Sequence, residues 1–191
     1  VAKFNLALSS LPSFKGLDSP RGRMLIAPTM DSIEFAWDDA KYGDYSQNPV
    51  MDMIVPTLFN PSMAPEGKHI LSANIMYIPY QKKDGWSGED KNELTERIID
   101  TISQYSPNIR DNILHSELLT PLDLETEFNL TGGHWHHGEL ALDQMLMMRP
   151  TYEAAQYRTP IDKLYLCSAG CHPGGGIMGA AGYNAAKEII K

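Results

Sequence analysis

The chain has 191 residues, 42% of them hydrophobic, enough to bury a core of about one domain. Its net charge of −8, with no Lys/Arg cluster, excludes a phosphate-tracking nucleic-acid surface and attraction to anionic membranes. No apolar run approaches the roughly 18 residues that span a bilayer and no signal peptide is evident, so a soluble protein is expected. Val1 leads straight into a strand-like stretch, as expected of a chain cut from a longer one. Residues 3–9 alternate loosely as a strand, which Pro12 breaks. Residues 23–27 form a second short strand. Asp31 and Ser32 are placed to cap a helix over 33–42, with Ile33, Phe35, Ala36, Trp37 and Ala40 as its apolar face. Residues 51–58 and 69–79 are strand-like and separated by a turn-forming cluster at 60–67, which predicts an antiparallel pair.

The clearest helix covers 89–105. Leu94, Ile98, Ile99, Ile102 and Tyr105 make one apolar stripe, charged residues fill the opposite side, and Ser106-Pro107 ends it. A strand over 112–119 and a short helix from Thr120-Pro121 to Phe128 follow. The sum is an α+β fold, a mixed, largely antiparallel sheet with helices on one face. Residues 132–159 are mostly irregular, and long irregular stretches of compact domains are often functional.

The last thirty residues have a different organisation. Residues 164–169 form an apolar run suited to a strand buried on both faces; a glycine-rich turn follows, and from Ile177 the pattern is that of a helix of about four turns. A strand, glycine loop and helix aim the helix N-terminus, with its unpaired N–H groups and positive dipole end, at an anionic or electron-rich ligand. Gly174-Gly175-Gly176-Ile177-Met178-Gly179 fits G-x-G-x-x-G. The full dinucleotide fingerprint also needs a second strand with an acid about 20 residues on. The chain reaches Lys191 without one, so the unit is expected to close a nucleotide domain rather than open it.

Residues 164–186, from Leu164 through Gly170 and Gly174–Gly176 to Ala186, resemble the C-terminal flavin motif of the phytoene desaturase-related FAD-dependent oxidoreductases. The resemblance is nearest to the branch named for a pyridine nucleotide-disulfide oxidoreductase domain. Residues 130–150 also resemble that branch, in the spacing of Gly132, Gly133, His137 and Gly138, in Asp143-Gln144 and in Arg149-Pro150. Residues 2–14 and 119–125 match more loosely. The resemblance implies FAD as cofactor, with Gly170 near the ribityl and pyrophosphate part, the N–H groups of Gly176, Ile177 and Met178 near the pyrimidine edge of the ring, and Gly175 a further cofactor-binding residue. It also implies a partner, the N-terminal FAD-binding half of the same protein, whose glycine fingerprint is absent here. The organisation expected is then a substrate-side domain over 1–130, a connecting segment over 131–159, and a strand-loop-helix over 160–191 that completes the FAD-binding Rossmann-like domain. The chain alone is not expected to retain FAD, because most polar contacts to the dinucleotide are made by the first Rossmann turn.

Other readings compete with these. The glycines serve any tight turn with close helix packing, so a non-catalytic interaction module is the alternative to an oxidoreductase fragment. His134, His136, His137 and Glu139, with Cys167, Cys171 and His172, carry metal-binding side chains, but neighbouring histidines on one loop cannot all face one ion and C-x-x-x-C-H is not a recurrent zinc spacing. No metal is expected. His137, the one histidine aligned with the family motif, is the candidate catalytic residue, facing flavin or substrate, or else a loop-holding group. The methionines at 145, 147 and 148 either line a path for an apolar substrate or pack a core, and packing is preferred. Cys167 is expected to be a buried structural thiol rather than a redox partner of Cys171. The absence of a disulfide framework suggests a reducing compartment, the cytoplasm or alternatively the mitochondrial matrix. A second copy of the chain is a further candidate partner.

Overall fold

Alternation decides the first half of the chain. Ala2, Phe4, Leu6 and Leu8 fall on one face of a strand and Lys3, Asn5 and Ala7 on the other, so a single layer of cover suffices to bury the apolar set. In the computed structural model, which describes residues 1–137 and 141–191, these residues form β1 (Ala2–Leu8). It is followed by β2 (Met24–Ile26), α1 (Met30–Lys41), β3 (Met51–Ile54), β4 (His69–Ile75), α2 (Gly88–Tyr105), the single turn α3 (Ile109–Asn112), β5 (Ile113–Leu119), α4 (Pro121–Phe128) and, far along the chain, α5 (Ala180–Ile189). The five strands pair antiparallel in the order β2-β3-β4-β1-β5, with Leu6 opposite Leu71 on one side and Ser116 on the other. The α+β expectation and the pairing of β3 with β4 both hold.

The chain divides into two units, Val1–Gly133 and His134–Lys191. The first is built on α2, whose buried stripe of Leu94, Ile98, Ile99 and Ile102 joins Phe4, Leu6, Leu8, Met51, Met53, Leu71, Ala73 and Ile75 in one core. Ser87 caps α2 through a reciprocal pair with Asp90, and the chain leaves the helix at Ser106, before Pro107. Asp52 is buried between the methionines of β3, and the guanidinium of Arg23 pairs with its carboxylate. Tyr105, expected on the stripe, lies partly exposed at its end.

Two local expectations for α1 are corrected. The N-cap is Thr29, not Asp31 or Ser32: Thr29 Oγ1 accepts from Ser32 N at 3.1 Å and Ser32 Oγ returns to the Thr29 backbone. Asp31 serves the first turn as an acid favourable to the helix dipole. The apolar face does not become core. Ala36 alone is buried, while Phe35 and Trp37 are exposed, Trp37 standing edge-on to Tyr77.

At α4, Thr120 and Asp123 form a capping box, and Asp123 also accepts from Lys91 Nζ of α2 at 2.6 Å. Burial pushes the Asp123 carboxyl up, but the hydrogen bonds from Lys91 and Thr120 outweigh it and hold the group below its ordinary 3.8. A depressed carboxyl contributes stability that is fully present above the unfolded value and is lost as pH falls through the lower folded one. The tie between α2 and α4 is therefore expected to persist at pH 3.8 and to release only in stronger acid. NMR titration of the Asp123 carboxyl checks this. A midpoint at or above 3.8 would contradict it, and Asp123→Asn should remove the step.

Candidate functional site

The unit His134–Lys191 has a small core of Tyr157, Cys171, Ala181 and Ala185, with Leu166 packed against it. Small side chains dominate because α5 begins Ala180-Ala181-Gly182, which lets the helix lie close to the loop before it. The 164–169 run does not form the expected strand. It contributes one bridge, Tyr165 to Arg158, and bonds from Leu166 N to Tyr157 O and from Thr159 N to Leu164 O. An apolar run becomes a ladder only where another strand offers its edge, and none among the described residues of this unit does. Cys167 is consequently exposed rather than buried, whereas Cys171 is buried, and burial pushes its thiol above the ordinary value.

The glycine loop also departs from expectation. The helix starts at Ala180, not Ile177, because Gly179 takes φ +66° as an N-cap with no capping side chain. Gly174 and Gly176 stand at φ +105° and +107°, a backbone region L side chains rarely adopt. Ile177 and Met178 are exposed. Among the described residues, the backbone N–H groups of residues 175–182 donate to no protein acceptor; the next amide, Tyr183 N, closes the first helical turn on Gly179 O at 3.0 Å. Such a run of open donors at a helix entrance suits a group rich in acceptor oxygens or negative charge.

Two side chains hold this loop. Tyr157 Oη donates to His172 O at 2.8 Å and accepts from Asn184 Nδ2 at 2.8 Å, so one phenol ties the residues before the glycines to the helix after them. Arg158 adds an ion pair to Glu188 near the end of α5. Removing the hydroxyl alone leaves two part-buried partners unpaired, a cost of about 1–2 kcal/mol. Tyr157→Phe should therefore lower hydrogen-exchange protection across α5 while leaving α2 unchanged. Equal protection in wild type and variant would show that the phenol is not a strut.

Arg149 is the second. It is 5% exposed, and its Nη2 donates to the carbonyls of His136 and His137, the latter at 3.2 Å. His137 itself is exposed and at φ +54°; the rings of His134 and His136 lie 5.7 Å apart, and Glu139 lies outside the described residues. Among the described residues no three His, Cys, Asp or Glu side chains are grouped to hold a metal ion. Leu146, Met147 and Met148 are exposed rather than packed in a core, because the 3-10 turns carrying them leave these side chains outside the small cluster above. Leu146 and Met147 border a cavity of about 300 Å³ with Ala155, Gln156 and His172.

Of the residues implied as cofactor contacts, Gly175, Gly176, Ile177 and Met178 share the run of open donors, while Gly170 lies in the turn before Cys171. The sequence assigns no structural role to Tyr157, and to Arg149 only a place in the resemblance of residues 130–150. Neither has a local pattern that announces one, since each acts on segments that only the fold brings near.

In the unit Val1–Gly133, the sheet face away from α2 carries a polar chain. Ser72 Oγ donates to Asn5 Oδ1 at 2.9 Å, and Asn5 Nδ2 donates to Glu117 at 3.0 Å. It floors a cavity of about 380 Å³ whose other residues include Pro56, Met63, Ile70 and His115.

The curated relatives of the chain carry the names of oxidoreductases, dehydrogenases and desaturases. Along its whole length the chain resembles the C-terminal part of the mouse pyridine nucleotide-disulfide oxidoreductase domain-containing protein 2, at 37% identity. It spans 35% of that protein. A subunit of the limonene dehydrogenase of Castellaniella defragrans is 29% identical over 60% of the chain and 21% of its own length. The lycopene-forming phytoene desaturase of Pantoea ananas is 31% identical over 66% of the chain and 25% of its own length. No family profile matches the chain. Among the described residues no helix is long and apolar enough to cross a membrane.

Proposed function

We propose that the chain forms the C-terminal, substrate-side part of an FAD-dependent oxidoreductase. The observation that carries this is the run of open amides over residues 175–182, on a loop in which Gly174, Gly176 and Gly179 stand where a side chain would be strained. The loop fits the cofactor: Gly176, Ile177 and Met178 present N–H groups and the dipole end of α5 to an electron-rich ring edge, and Gly170 lies in the turn before the loop. Bound FAD supplies hydride transfer between its N5 and a substrate C–H bond or a reduced nicotinamide. The protein's task is then to bind, orient and exclude water, so no acid or base of this chain is required, and His137 serves the loop rather than the chemistry. The remaining contacts to the dinucleotide come from an N-terminal FAD-binding half of the same protein. The cavity over Asn5, Ser72 and Glu117 offers a substrate an apolar wall of Pro56, Met63 and Ile70 above a polar floor.

Gly176→Leu tests the reading in the intact protein. A branched side chain at φ +107° is strained whatever the space around it, and its built Cβ already meets Met178 Cε at 3.3 Å. The loop must re-form, and the protein should lose most of its FAD, read as visible flavin absorbance per protein. Unchanged flavin content would remove the glycine loop from the cofactor site.

A further inference from the structure

A buried guanidinium is costly unless every donor and the charge itself find use. Arg149 is such a group, and the use made of it within this unit is unusual. Among the described residues it forms no ion pair with a carboxylate. Its Nη2 is taken by two successive carbonyls, those of His136 and His137. Its Nη1 occupies the space beside Gly174: a Cβ built on that glycine would lie 2.8 Å from the nitrogen. The side chain therefore fills a notch that exists because residue 174 has no side chain, and it joins two loops far apart in sequence. Among the described residues its partners are carbonyls, which do not neutralise the positive charge, and it stands next to the loop whose following amides are open.

We propose that Arg149 is a positioning residue that clamps the histidine loop to the glycine loop at Gly174, holding the open amides in the geometry that binds the cofactor and lending that loop a fixed positive charge. This rests on the flavin reading above for its cofactor half; the clamp itself does not. Arginine is required because its planar fork reaches two carbonyls with one edge and leaves the other edge for the notch, which an ammonium cannot do.

The test uses the intact protein with Arg149→Met, Arg149→Lys, Gly174→Ala and the double variant Arg149→Met with Gly174→Ala. Two amides report the clamp without any cofactor: His137 N, bonded to His134 O at 3.0 Å, and Gly174 N, bonded to Cys171 O at 2.7 Å. Arg149→Met should raise hydrogen exchange at both and weaken FAD binding, measured by flavin fluorescence, by roughly tenfold or more, the factor that loss of a charge-assisted hydrogen bond converts to. Arg149→Lys should fall between Met and wild type, and it is the variant to read if the Met variant does not fold. Gly174→Ala carries its φ strain in either background, so that cost cancels; what remains should be smaller with Met at 149, where the colliding nitrogen is gone. Unchanged exchange at both amides, or strictly additive effects of the two substitutions, would overturn the clamp. Altered exchange with unaltered FAD affinity, in a wild type that binds FAD, would overturn its role at the cofactor. A wild type that binds no FAD would instead sink the flavin reading, with the exchange data still deciding the clamp.

Discussion

Gly133→Ala should destabilise the unit Val1–Gly133 by about 3 kcal/mol or more, among the largest effects a single methyl group can have. Gly132 N donates to Glu125 Oε1 at 3.2 Å, so the chain turns back onto α4 immediately after leaving it, and Gly133 comes to rest on the backbone of Pro121. A Cβ there would lie 2.2 Å from Pro121 O and 2.5 Å from Pro121 Cα. Both atoms belong to the first turn of a helix that is capped and tied to α2, so neither can yield as a flexible side-chain tip would. Gly132 supplies the comparison. It shares the left-handed conformation, at φ +66° against +60°, but a Cβ on it meets nothing within 4 Å. Gly132→Ala should therefore cost only the backbone strain, about 1 kcal/mol. Chemical denaturation of the two variants separates clash from strain, and equal losses would mean the contact with Pro121 relaxes freely.

Phe4→Ala should cost about 3 to 5 kcal/mol, the range for deleting a fully enclosed aromatic ring. Phe4 stands opposite Ala73 on one neighbouring strand and Leu118 on the other, and it is completely buried in the core shared with α2. Beside small Ala73, the surrounding side chains cannot close the space left behind. Phe35→Ala on α1 removes the same ring from an exposed position and should move stability by less than about 0.5 kcal/mol. A shallow loss at Phe4, comparable to that at Phe35, would mean that the core repacks around the deletion.

The sheet unit was largely legible because its information is local. Alternation in 2–8, the apolar stripe of 89–105 and the Thr120-Pro121 start each name an element without reference to anything else, and all three appear as β1, α2 and α4. The readings that failed depended on partners. Residues 164–169 have the composition of a buried strand, yet composition does not say whether an edge is available to pair with. Phe35 and Trp37 have helical spacing, but spacing does not say that the face will be covered. The glycine loop could be found from its residue types, whereas its helix start could not be placed to the residue, since either Ile177 or Ala180 continues the same pattern. Arg149 and Tyr157 lay beyond reach for a different reason: their importance resides in carbonyl oxygens and a hydrogen-bonding phenol, which carry no signature of side-chain type.

The strand order has a consequence in time. β1 lies between β4 and β5, so Leu6 must wait for Leu71 on one flank and Ser116 on the other. Every pairing of β1 closes a long loop, and the entropy of that closure is paid before the contacts repay it, which slows folding of sheets with high contact order. During synthesis β1 is made first among the strands of this sheet; its neighbour β4 (His69–Ile75) follows only after a long stretch of chain, and β5 (Ile113–Leu119) later still. Phe4, Leu6 and Leu8, all fully buried in the finished sheet, are for that interval a bare apolar segment of nascent chain.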